Sequence, residues 1–166
     1  MPDDLPSILP VYEAAREFMR QNGNATQWGD HFPPQELLEQ DVKEERLYVV
    51  EEDGNIHASF VFVLGEDPHY RIIDNGKWLS DTPYGTIHRV ASDGSLSGVF
   101  DEMVKFCRKQ IAHLRIDTHE RNLVMRHLIQ KNGFVQCGTI YVRDGSPRIA
   151  FEWMESRNTK NENGEM

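Results

Sequence analysis

Apolar positions change period several times along the chain, and each change marks an element. Leu5, Ile8, Tyr12, Ala15, Phe18 and Met19 recur at helical spacing and predict a first helix ending near Asn22-Gly23. Pro33-Pro34 opens a second helix with Leu37, Leu38 and Val42 on one face, proline being tolerated in a first turn. Between them, Thr26 to Phe32 is aromatic-rich and reads as irregular. The period then shortens to that of strands. Arg46 to Glu51 and Ile56 to Leu64 are rich in β-branched and aromatic residues, and Asp53-Gly54-Asn55 joins them as a hairpin. Gly65 to Pro83 is polar, is broken by Pro68 and Gly76, and predicts a loop or short edge segments.

The second half alternates strand and helix. Tyr84 to Ala91 reads as a strand. Ser97 to about Gln110 reads as a helix burying Val99, Met103, Phe106 and Cys107. Leu114 to Thr118 is the next strand. A helix from about Glu120 to Lys131 follows, with Leu123, Met125, Leu128 and Ile129 inward and Gly133 just past its end. Phe134 to Val142 and Arg148 to Met154 form a terminal hairpin around Asp144-Gly145. Strand, helix, strand from Tyr84 to Thr118 predicts a right-handed parallel unit, while the flanking hairpins are antiparallel. The fold class is therefore α/β with a mixed, mostly antiparallel sheet, one parallel strand pair and helices on both faces. The length of 166 residues suits one domain. It is expected to span 1–154, with 155–166 a disordered polar tail.

Composition narrows the partners. A formal net charge of −9 argues against a general nucleic-acid surface and favours basic small molecules or peptides, although acidity also serves solubility. No apolar run reaches membrane-spanning length. The opening Met-Pro-Asp-Asp-Leu-Pro is acidic where a secretion signal is basic, so a cytoplasmic location without a membrane partner is expected. Cys107 and Cys137 lie in apolar segments and read as reduced core thiols. The seven histidines form no metal-binding motif, and no metal is expected.

The turn Ser92-Asp93-Gly94-Ser95-Leu96-Ser97-Gly98 is the first candidate for chemistry. It runs from a strand into a helix, whose first N–H groups are unpaired and favour phosphate. Ser97 suits an N-cap, and Gly94 and Gly98 allow the backbone to bend close to a ligand. Downstream come Asp117-Thr118-His119, Asn122, Asn132-Gly133-Phe134, Cys137-Gly138, Ile140-Tyr141 and Asp144-Gly145-Ser146-Pro147-Arg148. In this order the chain resembles the GNAT acetyltransferases, and a bacterial subgroup of them in particular. The resemblance implies acetyl-CoA as cosubstrate. It also implies a sheet that splays between Thr86–Ala91 and Leu114–Asp117 to admit the pantetheine arm. Cofactor contacts are then expected from Arg89, Val90, Ala91, Ser95, Leu96, Ser97, Gly98, Val99, Phe100 and Asn122. The chain departs from the family loop, which carries Gln or Arg where Ser95 stands and a small residue where Phe100 stands.

Amine acetylation needs a group to take the amine's proton and sometimes an acid for the leaving thiolate. His88, on the first parallel strand, is the candidate base, against the plainer role of a half-buried strand histidine. The family's tyrosine acid corresponds here to Ile129, which leaves Tyr141 and Cys137 as substitutes, against the plainer role of sheet packing. Trp28, His31, Phe32, Tyr70, Trp78 and His119 fall where such proteins build the acceptor site. The expected activity is direct transfer of an acetyl group to a primary amine of a small molecule or peptide, by a monomer or homodimer. A non-enzymatic ligand-binding protein of the same fold is the second reading.

Overall fold

A computed structural model describes residues 4–155. The expected disorder of 155–166 therefore lies, Glu155 apart, outside the described residues. Helix α1 (Leu5–Gln21) leads through a short α2 (Ala25–Trp28) into α3 (Gln35–Lys43). The hairpin of β1 (Leu47–Glu52) and β2 (Asn55–Leu64) precedes a long loop containing the 3-10 turn Pro68–Tyr70. Then come β3 (Gly85–Ser92), α4 (Val99–Arg108), β4 (His113–Thr118), α5 (Leu123–Lys131), β5 (Val135–Tyr141) and β6 (Pro147–Met154). The strand order is β1-β2-β3-β4-β6-β5. Among the described strands only β3 and β4 run parallel to each other.

Periodicity placed the elements and missed details. Thr26–Trp28 belongs to a helical turn where irregular backbone was expected. The α4 helix starts two residues after Ser97, and Gly98 is its N-cap, in the left-handed region at φ 71° and ψ 15°. Ser97 therefore does not cap it. The inward face of α4 is Phe100, Met103, Val104 and Cys107, at the spacing of one helical stripe, with Val99 and Phe106 only partly buried. In α5 only Ile129 is fully buried, while Leu123 is 68% exposed and points away from the core where it was expected inward.

Each face of the sheet has its own cover. Against α4 and α5 lie Ala58, Phe60, Phe62, Ile87, Leu114, Ile116 and Phe151. On the other face, α1 and α3 bring Ile8, Tyr12 and Leu38 against Ala91, Leu47 and Val49. The long loop covers the remainder of that face with Tyr70, Trp78 and Tyr84 over Ile140 and Ala150.

Buried charge ties this loop down. Glu152 is fully buried. Its Oε1 meets His113 Nε2 and accepts from Arg115 Nε at 3.1 Å, and its Oε2 accepts the Leu79 N–H at 2.6 Å. Arg115 donates to the Ser80 carbonyl at 2.8 Å and is stacked between Trp78 (3.9 Å) and Tyr84 (4.0 Å). His113 Nδ1 meets Thr82 Oγ1 at 2.9 Å. Burial would raise the Glu152 carboxyl, but its bonds from His113, Leu79 and Arg115 together hold it below the usual range. The neighbouring Cys137 thiol is pushed up to about 12 by burial and by the Glu152 charge, so it stays a thiol. Gly76 adds a steric anchor. A Cβ there would sit 1.8 Å from the Cys137 carbonyl oxygen, and Lys77 donates to that same oxygen at 3.0 Å.

Two outcomes follow for stability. Glu152→Gln should cost about 3–5 kcal/mol in urea unfolding at neutral pH, because Arg115 loses a buried counter-charge. A folded-state pKa below the unfolded value gives stability that is present above about pH 4.3 and lost as pH falls through the folded value. The gap in Tm between the parent and Glu152→Gln should therefore narrow on acidification from pH 6 to pH 3. Gly76→Ala should lower stability by about 1–3 kcal/mol, because backbone rather than a flexible side chain blocks the new methyl group.

Candidate active site

The central feature is a gap in the sheet. The parallel pair holds register only at Gly85↔Leu114 and Thr86↔Arg115. Beyond these, β3 runs on to Ser92 and β4 to Thr118 without pairing to each other. A bulge accompanies the divergence. Ser59 and Val61 of β2 oppose Ala91 and His88, so three steps on β3 match two on β2. Arg89 sits in the bulge at φ 49°, a conformation that a non-glycine residue holds only when its surroundings impose it. The extra residue moves later side chains to the opposite face. Ile87 and Val90 both face α4 and α5, and Ala91 faces α1.

The grip on Arg89 comes from a buried carboxylate. Asp41 is fully buried and receives Arg89 Nε and Nη2, both at 2.8 Å, together with Arg46 Nε at 2.7 Å. The Tyr12 hydroxyl donates to the Arg89 carbonyl at 2.7 Å. Helices α1 and α3 thus hold the strained residue from its own face.

A cavity of about 810 Å³ occupies the gap and takes its walls from both faces of the sheet. From β3 and β4 come Ile87–Val90 and Ile116–Thr118, and from the α5 side Asn122 and Met125. The opposite face contributes Trp28, Phe32, Asp67, His69, Tyr70 and Arg148. His88 Nε2 lies 2.9 Å from Asp67 Oδ2. Burial would raise the Asp67 carboxyl, but the hydrogen bond and charge of His88 and the N–H of His69 hold it below its ordinary value. With Nε2–H donated to the carboxylate, neutral His88 would carry its lone pair on Nδ1. The Tyr70 hydroxyl donates to Asp117 Oδ2 at 2.6 Å, and burial with the Asp117 charge raises it well above the phenol range. The Thr118 hydroxyl is buried in the wall with no hydrogen-bond partner.

The sequence-predicted residues divide between the cavity and other places. His88, Arg89, Val90, Asn122, Trp28, Phe32 and Tyr70 line the cavity. Asn122 is the N-cap of α5, accepting from the Met125 N–H at 3.1 Å and donating to Gln27 Oε1 at 3.2 Å. Ala91 is buried under α1. His31 lies on a separate surface depression against α1. Trp78 packs on Arg115 and Tyr70, outside the wall. His119 Nδ1 accepts the Arg121 N–H at 3.1 Å and is lowered by burial and by Arg148. Tyr141 is exposed on β5 and hydrogen-bonded to Asp74, away from the cavity.

No residue of the turn from Ser95 to Phe100 lines the cavity. Asp93 Oδ1 accepts the Ser95 N–H at 2.9 Å, and Asp93 Oδ2 lies 2.9 Å from His57 Nδ1. Leu96 and Ser97 follow, and Val99 begins the helix after the left-handed Gly98. Phe100 is 2% exposed, and its ring belongs to the core. Asp101 turns toward Asn132 (2.9 Å) and Lys131 (3.4 Å). Asp67 and Arg148 were missed as site residues. Asp67 reads as one more loop carboxylate, and Arg148 as a hairpin charge.

Among the described residues no helix is long and apolar enough to cross a membrane, and no group of three or more His, Cys, Asp or Glu could hold a metal ion. No protein-family model and no curated protein matches the sequence. Solved structures do. An acetyltransferase of the GNAT family from Streptococcus agalactiae is similar with 27% identity and a TM-score of 0.86, over 95% of this chain and 93% of that one. One from Listeria monocytogenes gives 17% and 0.68, over 93% and 91%. An acetyltransferase from Salmonella typhimurium, solved with its cofactor acetyl-CoA, gives 14% and 0.59, over 95% and 91%. In strand order, in the single parallel pair and in the gap that opens from it, this chain has the fold of the GNAT acetyltransferases.

Proposed function

We propose that the protein transfers an acetyl group from acetyl-CoA directly to a primary amine of a small molecule or peptide. The observation that carries this reading is a cavity that passes through the sheet and carries a His88–Asp67 pair on one side. Inside the gap, β3 and β4 present main-chain groups that no strand partner uses. The amide groups of a pantetheine arm can satisfy these groups, as a neighbouring strand would. The amides at the start of α4 then suit the diphosphate, and Thr118 and Asn122 are polar neighbours of the arm.

The amine approaches from the face of α2 and the long loop. His88 Nδ1 takes its proton as the nitrogen attacks the thioester carbon. The C–N bond forms, the C–S bond breaks, and the coenzyme A thiolate leaves and is protonated by solvent. Asp67 holds the imidazole in the required tautomer and stabilises its charged form. The buried, high-pKa thiols of Cys107 and Cys137 do not suit an acyl-enzyme route, since a thiolate is the nucleophile. The relatives' acetyltransferase names support the same reaction class.

Calorimetry with acetyl-CoA, followed by release of free coenzyme A in the presence of an amine panel, tests the reading. Binding with amine-dependent release is expected. Binding without release for any amine would favour a ligand-binding protein. His88→Ala should lower turnover by about 10²-fold, and His88→Gln should not restore it, because glutamine accepts no proton. Asp67→Asn should lower turnover while leaving the affinity for acetyl-CoA unchanged. Gly98→Val should weaken acetyl-CoA at least tenfold, or about 1.4 kcal/mol, since φ 71° is strained for a branched residue.

A further inference from the structure

Arg148 has no role in the reaction just described, and its setting is unusual. It is only 8% exposed, yet among the described residues no carboxylate lies within ion-pair distance of its guanidinium. Every other arginine buried to this degree among the described residues is matched: Arg115 is paired with Glu152. Of the N–H groups of Arg148, one donates to the Pro147 carbonyl at 2.9 Å and one to the Gln27 carbonyl at 3.3 Å. Among the described residues none accepts from its Nε–H, and the residue borders the cavity. Burial disfavours its charge, which the more distant Asp117 and Asp144 only partly support. A buried guanidinium without a counter-ion is costly unless a ligand supplies one.

Its place in the fold says which ligand. On β6, Ile149, Phe151 and Trp153 face α4 and α5, so Arg148, Ala150 and Glu152 face the other way. The bond to the Gln27 carbonyl confirms that Arg148 reaches toward α2. It therefore lies on the same face as His88, Asp67 and Tyr70, and opposite the start of α4. A coenzyme phosphate held at the start of α4 would lie on the other face, where α4 packs. The flanking carboxylates of Asp117 and Asp144 also weigh against a dianion, whereas a planar monoanion matches a single guanidinium fork.

Resting on the acetyltransferase reading, we infer that Arg148 receives a carboxylate carried by the acceptor, so that the substrate class is amino carboxylates, free amino acids above all. The carboxylate pairs with Arg148 while the amine faces His88 and Asp67. The side chain of the substrate lies against Trp28, Phe32 and Leu37 in the same cavity. Arg148 is then a specificity-determining residue for the acceptor and has no part in binding the coenzyme.

The test compares each acceptor with its decarboxylated partner on the unaltered protein. Leucine, methionine, phenylalanine, β-alanine and γ-aminobutyrate are assayed for release of coenzyme A from acetyl-CoA. The alkyl and arylalkyl amines that lack only the carboxylate are assayed beside them. At least one amino acid should exceed its amine partner in kcat/KM by 100-fold or more. Arg148→Gln and Arg148→Lys, checked for parental Tm, should remove most of that ratio by raising KM for the amino acid, with the plain amine and acetyl-CoA affinity little changed. Equal rates for both members of every pair, or a ratio unmoved in both variants, would overturn the assignment. Binding of the same amino acids is measured in parallel by calorimetry. If no compound is acetylated but an amino acid binds the parent and not Arg148→Gln, the carboxylate site stands and the transfer reading falls. If no amino acid either binds or reacts, the inference fails, whatever plain amines do. If Arg148→Gln does not fold, Arg148→Lys and the paired substrates on the parent still decide.

Discussion

One buried carboxylate sets the shape of the site. Asp41 has no solvent to share its charge with and meets it with two guanidinium groups, from Arg89 and Arg46. The first of these residues sits at the bulge of β3, in a backbone conformation it would not adopt unaided. The strain is tolerable because the alternative would leave a charge buried and unpaired, which costs several kcal/mol. With Arg89 fixed, its own carbonyl accepts from Tyr12 instead of from a strand, and β3 leaves β4 two register pairs after they meet. The gap, the cavity and the placing of His88 all follow from that departure. The helices α1 and α3 are therefore part of the site although few of their side chains border the cavity.

The architecture was legible because it is written in short-range signals. Helical spacing of apolar residues, the Asp53-Gly54 turn and the strand–helix–strand order each specify an element within a dozen residues of chain. The structure agrees with them to within a few positions. The cap of α4 was misread by one residue because Ser97 and Gly98 are both acceptable caps, and only the left-handed φ of Gly98 decides between them. Leu123 was assigned to the core because hydropathy cannot tell a first-turn residue facing outward from one facing inward.

The polar interior was not legible, for a different reason. Asp41 with Arg89, Glu152 with His113 and Asp67 with His88 are separated by 48, 39 and 21 residues. A single sequence offers no sign that distant charges meet, and each of these looks like an ordinary surface residue. His88 was found because a histidine stands out on a strand, whereas its partner Asp67 was hidden among the carboxylates of a polar loop. The same blindness placed Trp78 in the site as a loop aromatic and Tyr141 as a substitute acid, while the structure uses the first to cover Arg115 and leaves the second exposed on β5. Phe100, which departs from the expected loop pattern, is accommodated because its ring completes the stripe of α4 in the core.

The long loop between β2 and β3 divides its labour along its length. Residues from Gly76 to Tyr84 are bound into Glu152, His113, Arg115 and the backbone of β5, and they fix where the loop lies. Residues from Asp67 to Tyr70 face the cavity. Anchoring and recognition are thus encoded in separate stretches of one segment. Changes in the first stretch would be felt as lost stability, and changes in the second as altered chemistry. A scaffold arranged in this way can exchange one acceptor for another by local substitution, without reopening the question of how the chain folds.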